Sequence, residues 1–336
     1  MKSSKSSKGY SNEEPNNPFA IPYFESPVKI ISSPSSNIDN NSAPKEKNIS
    51  TFSDKEELKS SIIWQKYNFV SLIYKGCFCT VYLASYNDKY YAIKKCDKKS
   101  FDREILIEEK CRGCERICKF SEVIFPFIIT EYYIGGNLLN YIINGKFSES
   151  KAKFYISNII LGIETLHNYN IIYRDLKAEN ILIDKDGYPI LSDFGISKLK
   201  VKEKKSKKIC GTLEYMSPEM IKCNGYDKNI DWWSLGILLY ELVLGKTPFE
   251  NKYKEDLKKL ITTKVINIPP YLSKELVDLL NKLFAKNPEK RIGFKSGGSE
   301  IKLHPWFKDV DWKLLSEKKI VAPFIPELNL QSLMNQ

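Results

Sequence analysis

The sequence predicts an α+β fold of two unequal lobes with a cleft between them. Three observations predict it. From about residue 60, apolar and polar residues alternate with the period of strands. After Gly135-Gly136 the period lengthens to that of helices. Later, "WWSLGILLYELVLG" (Trp232 to Gly245) is apolar almost all round, as a helix enclosed by a large core must be.

The elements follow in order. Residues 1–55 are rich in Ser, Asn, Lys and Pro without a sustained period, which predicts a disordered tail. Its apolar island, "NPFAIPYF" (Asn17 to Phe24), is either a docking peptide or an incidental cluster. "YNFVSLIYKGCFCTVYLASYNDKYYAIKK" reads as strands with turns at Lys75-Gly76 and Asn87-Asp88. A short charged helix is expected from Phe101 to about Cys111, and "VIFPFIITEYY" (Val123 to Tyr133) as one strand. Ala152, Ile156, Ile159, Ile163 and Leu166 mark one face of a helix; Leu276, Leu279, Leu280, Leu283 and Phe284 mark another. The chain divides into a tail (1–55), a main domain (56–310, lobes about 66–134 and 135–310) and a short extension (311–336).

Composition narrows the function classes. Of 336 residues, 42% are hydrophobic and 28% charged, an ordinary globular balance. The net charge is +11, yet residues 1–60 hold equal numbers of basic and acidic side chains, so the excess lies in the folded part. That favours acidic ligands: ATP, nucleic acid or an anionic surface. No apolar run approaches the roughly 18–20 residues of a membrane span. The start lacks a signal-peptide core, and Lys2 excludes myristoylation of this start. Eight cysteines in such a chain read as reduced thiols of a cytoplasmic protein, with a nuclear location as the alternative.

Three short motifs carry chemistry: "YRDLKAEN" (Tyr173 to Asn180), "SDFG" (Ser192 to Gly195) and "SPE" (Ser217 to Glu219), with "YAIK" (Tyr91 to Lys94) upstream. In this order and spacing they are specific. From about residue 66 to 310 the chain resembles the eukaryotic protein kinases. Tyr173, "ICGTLEYMSPE" and "DWWSLGILLYEL" make it similar to the AGC group, in the style of cAMP-dependent and ribosomal-S6-type kinases. "NPEKRIG", "EIKLHPWF" and "VAPFIPEL" are similar to the end of an AGC catalytic domain.

The resemblance implies the bilobal kinase fold and Ser/Thr phosphorylation with ATP and Mg²⁺. Phosphoryl transfer asks a protein mainly to position ATP and neutralise charge. Lys94 is expected on the α- and β-phosphates, held by Glu104, with Glu108 as the alternative. Asp193 and Asn180 are expected to hold Mg²⁺ through oxygen. Asp175 is expected to accept or orient the substrate proton, and Lys177 to reach the γ-phosphate. Gly76, Val81, Ala92, Glu131, Tyr132, Asn137 and Leu182 are expected around the nucleotide, with Thr130 as gatekeeper. Glu179, Glu214 and Glu241 imply protein substrates with Arg or Lys before the acceptor. Ile209, Leu213 and Met216 imply an apolar pocket after it. Glu219 is expected to pair with Arg291, Asp231 to brace the catalytic loop, and His167 and His304 to pack or cap.

The sequence also departs from that pattern. In "YKGCFCTV", Tyr74 and Cys79 replace two glycines of the nucleotide loop and leave Gly76. This motivates the alternative of a pseudokinase scaffold with weak nucleotide binding. Asn137 stands where cAMP-dependent kinases resemble one another in having glutamate. The chain ends at Gln336, so the long phenylalanine-rich AGC tail is expected to be missing and an activating partner, or the island, to fill its groove. A basic nucleic-acid-binding protein is a third reading from charge alone, but no specific nucleic-acid motif appears. Finally, "KLKVKEKKSKK" (Lys198 to Lys208) falls in the activation segment. Lys208 replaces the family's phosphothreonine, where it would repel Arg174. Ser206 is the run's single hydroxyl. Either its phosphorylation substitutes, or activation needs no loop phosphate.

Overall fold

The computed structural model describes residues 62–76, 79–199 and 205–327. The expected tail and its island, Cys77, Phe78 and residues 200–204 of the lysine run lie outside the described residues. The small lobe begins with helix α1 (Ile62–Lys66), where the sequence had suggested only strands. Ile63 and Tyr67 are its anchors, buried against Tyr82, Ile93 and Ile129. A five-stranded sheet follows in the order β1 (Asn68–Lys75), β2 (Cys79–Tyr86), β3 (Lys89–Cys96), β5 (Phe127–Glu131), β4 (Glu122–Ile124). Asn87 and Asp88 both take positive φ, the backbone of a tight two-residue hairpin turn, and so set the β2–β3 register.

Helix α2 (Lys98–Cys111) starts three residues before the apolar period suggests. The reason is Asp97, whose carboxylate accepts the N–H groups of Lys99 (2.9 Å) and Ser100 (3.1 Å). Such a cap stabilises a helix by about 1 kcal/mol. The expected single strand over Val123–Tyr133 is corrected to two, β4 and β5, which pair antiparallel around Phe125-Pro126. Pro126 has no N–H to give a ladder, and a turn is where a strand sequence tolerates it.

The large lobe contains α3 (Leu138–Ile143), α4 (Glu149–Asn168), α5 (Pro218–Ile221), α6 (Asn229–Leu244), α7 (Lys254–Thr263), α8 (Lys274–Leu283), α9 (Gly298–Lys302) and α10 (Trp312–Ser316). The five apolar positions read from α4 are all buried, as are Leu276, Leu279, Leu280 and Leu283 of α8. Every residue of α6 except Leu244 is buried. These three helices form the centre of one core. Between α4 and α5 lie four short strands: β6 (Ile171–Ile172) pairs with β9 (Lys198–Leu199), and β7 (Ile181–Ile183) with β8 (Pro189–Leu191).

The described part of the extension, residues 311–327, folds back over this lobe. Lys318 pairs with Asp184 at 2.7 Å, Tyr188 donates to the Ile320 carbonyl, Arg116 donates to the Leu315 carbonyl, and Phe324 meets Tyr141 edge-on at 5.1 Å. Among the described residues, no helix is long and apolar enough to cross a membrane. Burial pushes the Cys96, Cys111 and Cys118 thiols up to about 12, so they remain protonated and unreactive.

Candidate active site

Strand β3 carries Lys94 to the interlobe cleft. Its Nζ lies 2.7 Å from Glu104 on α2 and 2.8 Å from Asp193 beyond β8. Glu108, the alternative partner, instead meets Arg112 one helical turn along. Burial acts against the Lys94 charge, but Glu104 and Asp193 outweigh it and hold the ammonium above the usual lysine range. The Asp193 carboxylate is partly exposed, and Lys94 keeps its carboxyl below the usual range against the desolvation it does suffer. A second tie joins α2 to the same loop, with Arg103 donating to the Gly195 carbonyl.

The loop between β6 and β7 is held from beneath by Asp231 of α6. This fully buried carboxylate accepts the N–H of Tyr173 (3.0 Å), the N–H of Arg174 (2.9 Å) and His167 Nε2 (2.8 Å). A carboxylate only accepts, so His167 carries its proton on Nε2. Asp231 thus braces the loop, while His167 does more than pack edge-on against Trp232: it is one of the donors that hold Asp231 in place. Arg174 and Asp193 both adopt positive φ, 72° and 54°, uncommon for non-glycine residues.

Asp175 emerges from this braced loop. Its Oδ1 accepts the Thr212 N–H (3.1 Å) and hydroxyl (3.0 Å), and its Oδ2 accepts the Asn180 amide (2.9 Å). Lys177 Nζ lies 3.4 Å from Asp175 and donates to the Thr212 hydroxyl at 2.9 Å. The structure thus brings Asp175, Lys177 and Asn180 together; Ser192, next to Asp193, bonds the Asn180 carbonyl through its N–H (3.0 Å) and hydroxyl (2.9 Å), and Lys94 reaches Asp193 from the small lobe. Asn180 spends its amide N–H groups on Asp175 and keeps its amide oxygen for another partner. Asn180 and Asp193 offer oxygen ligands only, few in number. That suits Mg²⁺, which completes its shell with water and phosphate oxygens.

A protein kinase domain profile matches residues 67–307. The chain belongs to the protein kinase family. Its relatives are kinases of the AGC group. It is 35% identical over 289 residues to protein kinase C delta type of Mus musculus, covering 80% of this chain and 42% of that one. It is 41% identical over 204 residues to serine/threonine-protein kinase gad8 of Schizosaccharomyces pombe, covering 60% and 36%. It is 33% identical over 299 residues to serine/threonine-protein kinase N2 of Danio rerio, covering 82% and 30%. The chain thus spans less than half the length of these three relatives.

Around the cleft of this kinase domain, Ala92 pairs with Thr130, and Val81 stands opposite Tyr74 and Lys94 in the sheet. Leu182 bridges to Asn137. Asn137 also caps α3, accepting the Asn140 N–H at 3.2 Å, so its side-chain oxygen is already engaged. Glu131 is exposed and only loosely paired with Lys89 at 3.9 Å. Tyr132 cannot offer its N–H to a ligand, because it donates to the Tyr90 carbonyl at 3.0 Å. The next residue, Tyr133, makes no backbone N–H bond within the described residues, so the free main-chain donor at the hinge lies one position beyond Tyr132. Tyr74 folds its ring over Gly76, where any Cβ would strike the phenol.

On the substrate side, Glu179 is exposed and Glu214 half-buried. Glu241 is buried and accepts the Tyr215 hydroxyl, with burial pushing its carboxyl above the usual range. The expected apolar pocket is also not uniform. Met216 belongs to the core with Ile172, Met220 and Ile230, while Ile209 is exposed. Arg291 and Glu219 form the expected pair at 2.7 and 3.0 Å.

Gly211 sits against the catalytic loop at φ 98°, and a Cβ there would stand 2.6 Å from the Arg174 carbonyl oxygen. Alanine is strained in this conformation and must push Thr212 away from Asp175. Gly211→Ala is expected to lower kcat for peptide phosphorylation at least tenfold while nucleotide affinity, read by titration calorimetry, stays within about twofold.

Proposed function

We propose that this chain is an ATP-dependent serine/threonine protein kinase that transfers the γ-phosphoryl group of Mg-ATP to hydroxyls in basic peptide settings. One observation carries the reading: Lys94 links Glu104 to Asp193 across the cleft, facing the Asp175–Lys177–Asn180 cluster. Lys94 is placed to pair with the α- and β-phosphates, and Glu104 keeps it there. Asn180 and Asp193 would hold Mg²⁺, which supplies neutralisation of phosphate charge. Asp175, fixed by three hydrogen bonds, orients the incoming hydroxyl and takes its proton. Lys177 lies where it can offset charge developing on the transferred group. Val81, Ala92 and Leu182 supply apolar walls for adenine, and the Tyr133 N–H a directional contact.

Glu179 supports a preference for basic substrates. It is exposed, and its charge adds to the burial that raises the Glu241 carboxyl. A cation from a substrate relieves that repulsion. A degenerate peptide library tests this specificity. Arg or Lys upstream of the acceptor is the expected preference, and Glu179→Gln is expected to reduce it about tenfold without affecting peptides that lack basic residues. A preference for acidic flanks would contradict the specificity.

A further inference from the structure

The activation segment is fastened beside Asp175 through a tyrosine. Arg174 directs Nε (2.7 Å) and Nη2 to the Ile196 carbonyl, and Nη1 to the Tyr226 hydroxyl at 3.2 Å. That hydroxyl donates its own proton to the Lys208 carbonyl at 2.6 Å. Tyr226 and Ser206 also exchange two backbone hydrogen bonds, at 2.8 and 2.9 Å. The Tyr226 ring is 2% exposed and packs with Ile172, Met216, Met220 and Ile230. One neutral side chain therefore connects the arginine next to Asp175 with the main chain of Lys208. Lys208 and Arg174 still line one cavity, but the link between them is made without the lysine's charge: Lys208 contributes its carbonyl to the network while its side chain is exposed. Ser206 is 6% exposed with its backbone committed to the bridge, a poor position for a modifying enzyme to reach.

We propose that Tyr226 is the positioning residue that anchors the activation segment in place of a loop phosphate, so that the domain is competent with that segment unphosphorylated. This rests on the kinase reading above. The phenol can play the part because it accepts and donates at once: its oxygen takes an N–H from the guanidinium, and its O–H goes to a carbonyl of the segment. A phosphate would only accept. The lysines nearby fit the same picture. Lys99, Arg103, Arg174, Lys198 and Lys208 line one cavity of about 480 Å³ with Asp102 as the sole carboxylate of its lining, and the Tyr226 link holds the segment without an anion there.

The test uses the full chain treated with phosphatase, with Ser197, Ser206 and Thr212 verified as unmodified by mass spectrometry. The treated protein is expected to keep its kcat/KM for peptide within twofold of the untreated one. Tyr226→Phe keeps the ring and loses the hydroxyl. It is expected to lower kcat/KM for peptide at least tenfold with KM for ATP within twofold, a split that general destabilisation does not produce. Lys208→Glu in that background puts a carboxylate across the cavity from Arg174 and is expected to recover at least half of the logarithmic loss. Hydrogen exchange at the Ser206 and Tyr226 amides, expected to be at least tenfold faster in Tyr226→Phe, reads the anchor without any activity. Accelerated exchange in a protein with no transferase activity would therefore support the anchor and sink only the kinase reading. Inactivation by phosphatase, or Tyr226→Phe with unchanged exchange and kcat/KM, would overturn the proposal.

Discussion

Asp175→Asn is expected to cut kcat for peptide phosphorylation by roughly a thousandfold, within the range removed with a positioned acid–base group. The substitution keeps the side chain's shape and exchanges an acceptor oxygen for an amide donor. Both oxygens already face donors: Thr212 N–H and hydroxyl on one side, Asn180 on the other. An asparagine must therefore turn its NH₂ toward a donor or away from the substrate, and neither orientation accepts a proton. Lys94, Glu104 and the fold beneath are untouched. Nucleotide affinity is expected within about threefold of the original, with little change in melting temperature. Steady-state kinetics beside calorimetric nucleotide titration separates the two effects. A kcat within tenfold of the original would remove Asp175 from its assigned role.

Breaking the pair beneath the substrate side is expected to unfold rather than inactivate. The Arg291 side chain has no solvent exposure and uses every nitrogen: both Nη atoms on Glu219, Nη1 also on the Asn229 carbonyl, and Nε and Nη2 on the Ala285 carbonyl. Its plane also lies near the Trp233 ring, 5.3 Å from the centroid. Glu219→Ala leaves a guanidinium buried with carbonyls alone. The expected loss is about 3–5 kcal/mol. For a domain of this size that is a fall of roughly 10 °C in Tm. Replacing both partners with apolar residues of similar volume, Glu219→Leu with Arg291→Met, is expected to cost less than either single change, since no buried charge is then left alone. Thermal unfolding of the three variants measures this. A double variant less stable than both singles would show that packing, not charge, governs the site.

Much of this was legible in local sequence. The Asn87-Asp88 turn, the α4 and α8 faces and the enclosed α6 follow from side-chain periods and turn chemistry that act over a few residues. Lys94, Asp175, Asn180 and Asp193 stood out because their neighbours form short dense motifs. What the sequence hid depends on distant partners. The turn at Phe125-Pro126 lies inside an apolar run whose composition is strand-like throughout. Tyr132 lost its N–H to a carbonyl on another strand, which shifts the free hinge donor to Tyr133. Thr212 and Tyr226 looked like ordinary polar and aromatic residues until folding set one on Asp175 and the other between Arg174 and Lys208. Glu241 read as a substrate contact, but its burial against Tyr215 makes it also a part of the core wall.

Transfer of labelled γ-phosphate from Mg-ATP to a serine peptide bearing upstream arginines, by purified chain and by Asp175→Asn side by side, tests the central claim most directly. Mass spectrometry of the peptide should place phosphate on the serine hydroxyl with the original chain and reduce it to a trace with the variant. Equal transfer by both proteins, or none by either while Mg-ATP binds normally, would contradict the account.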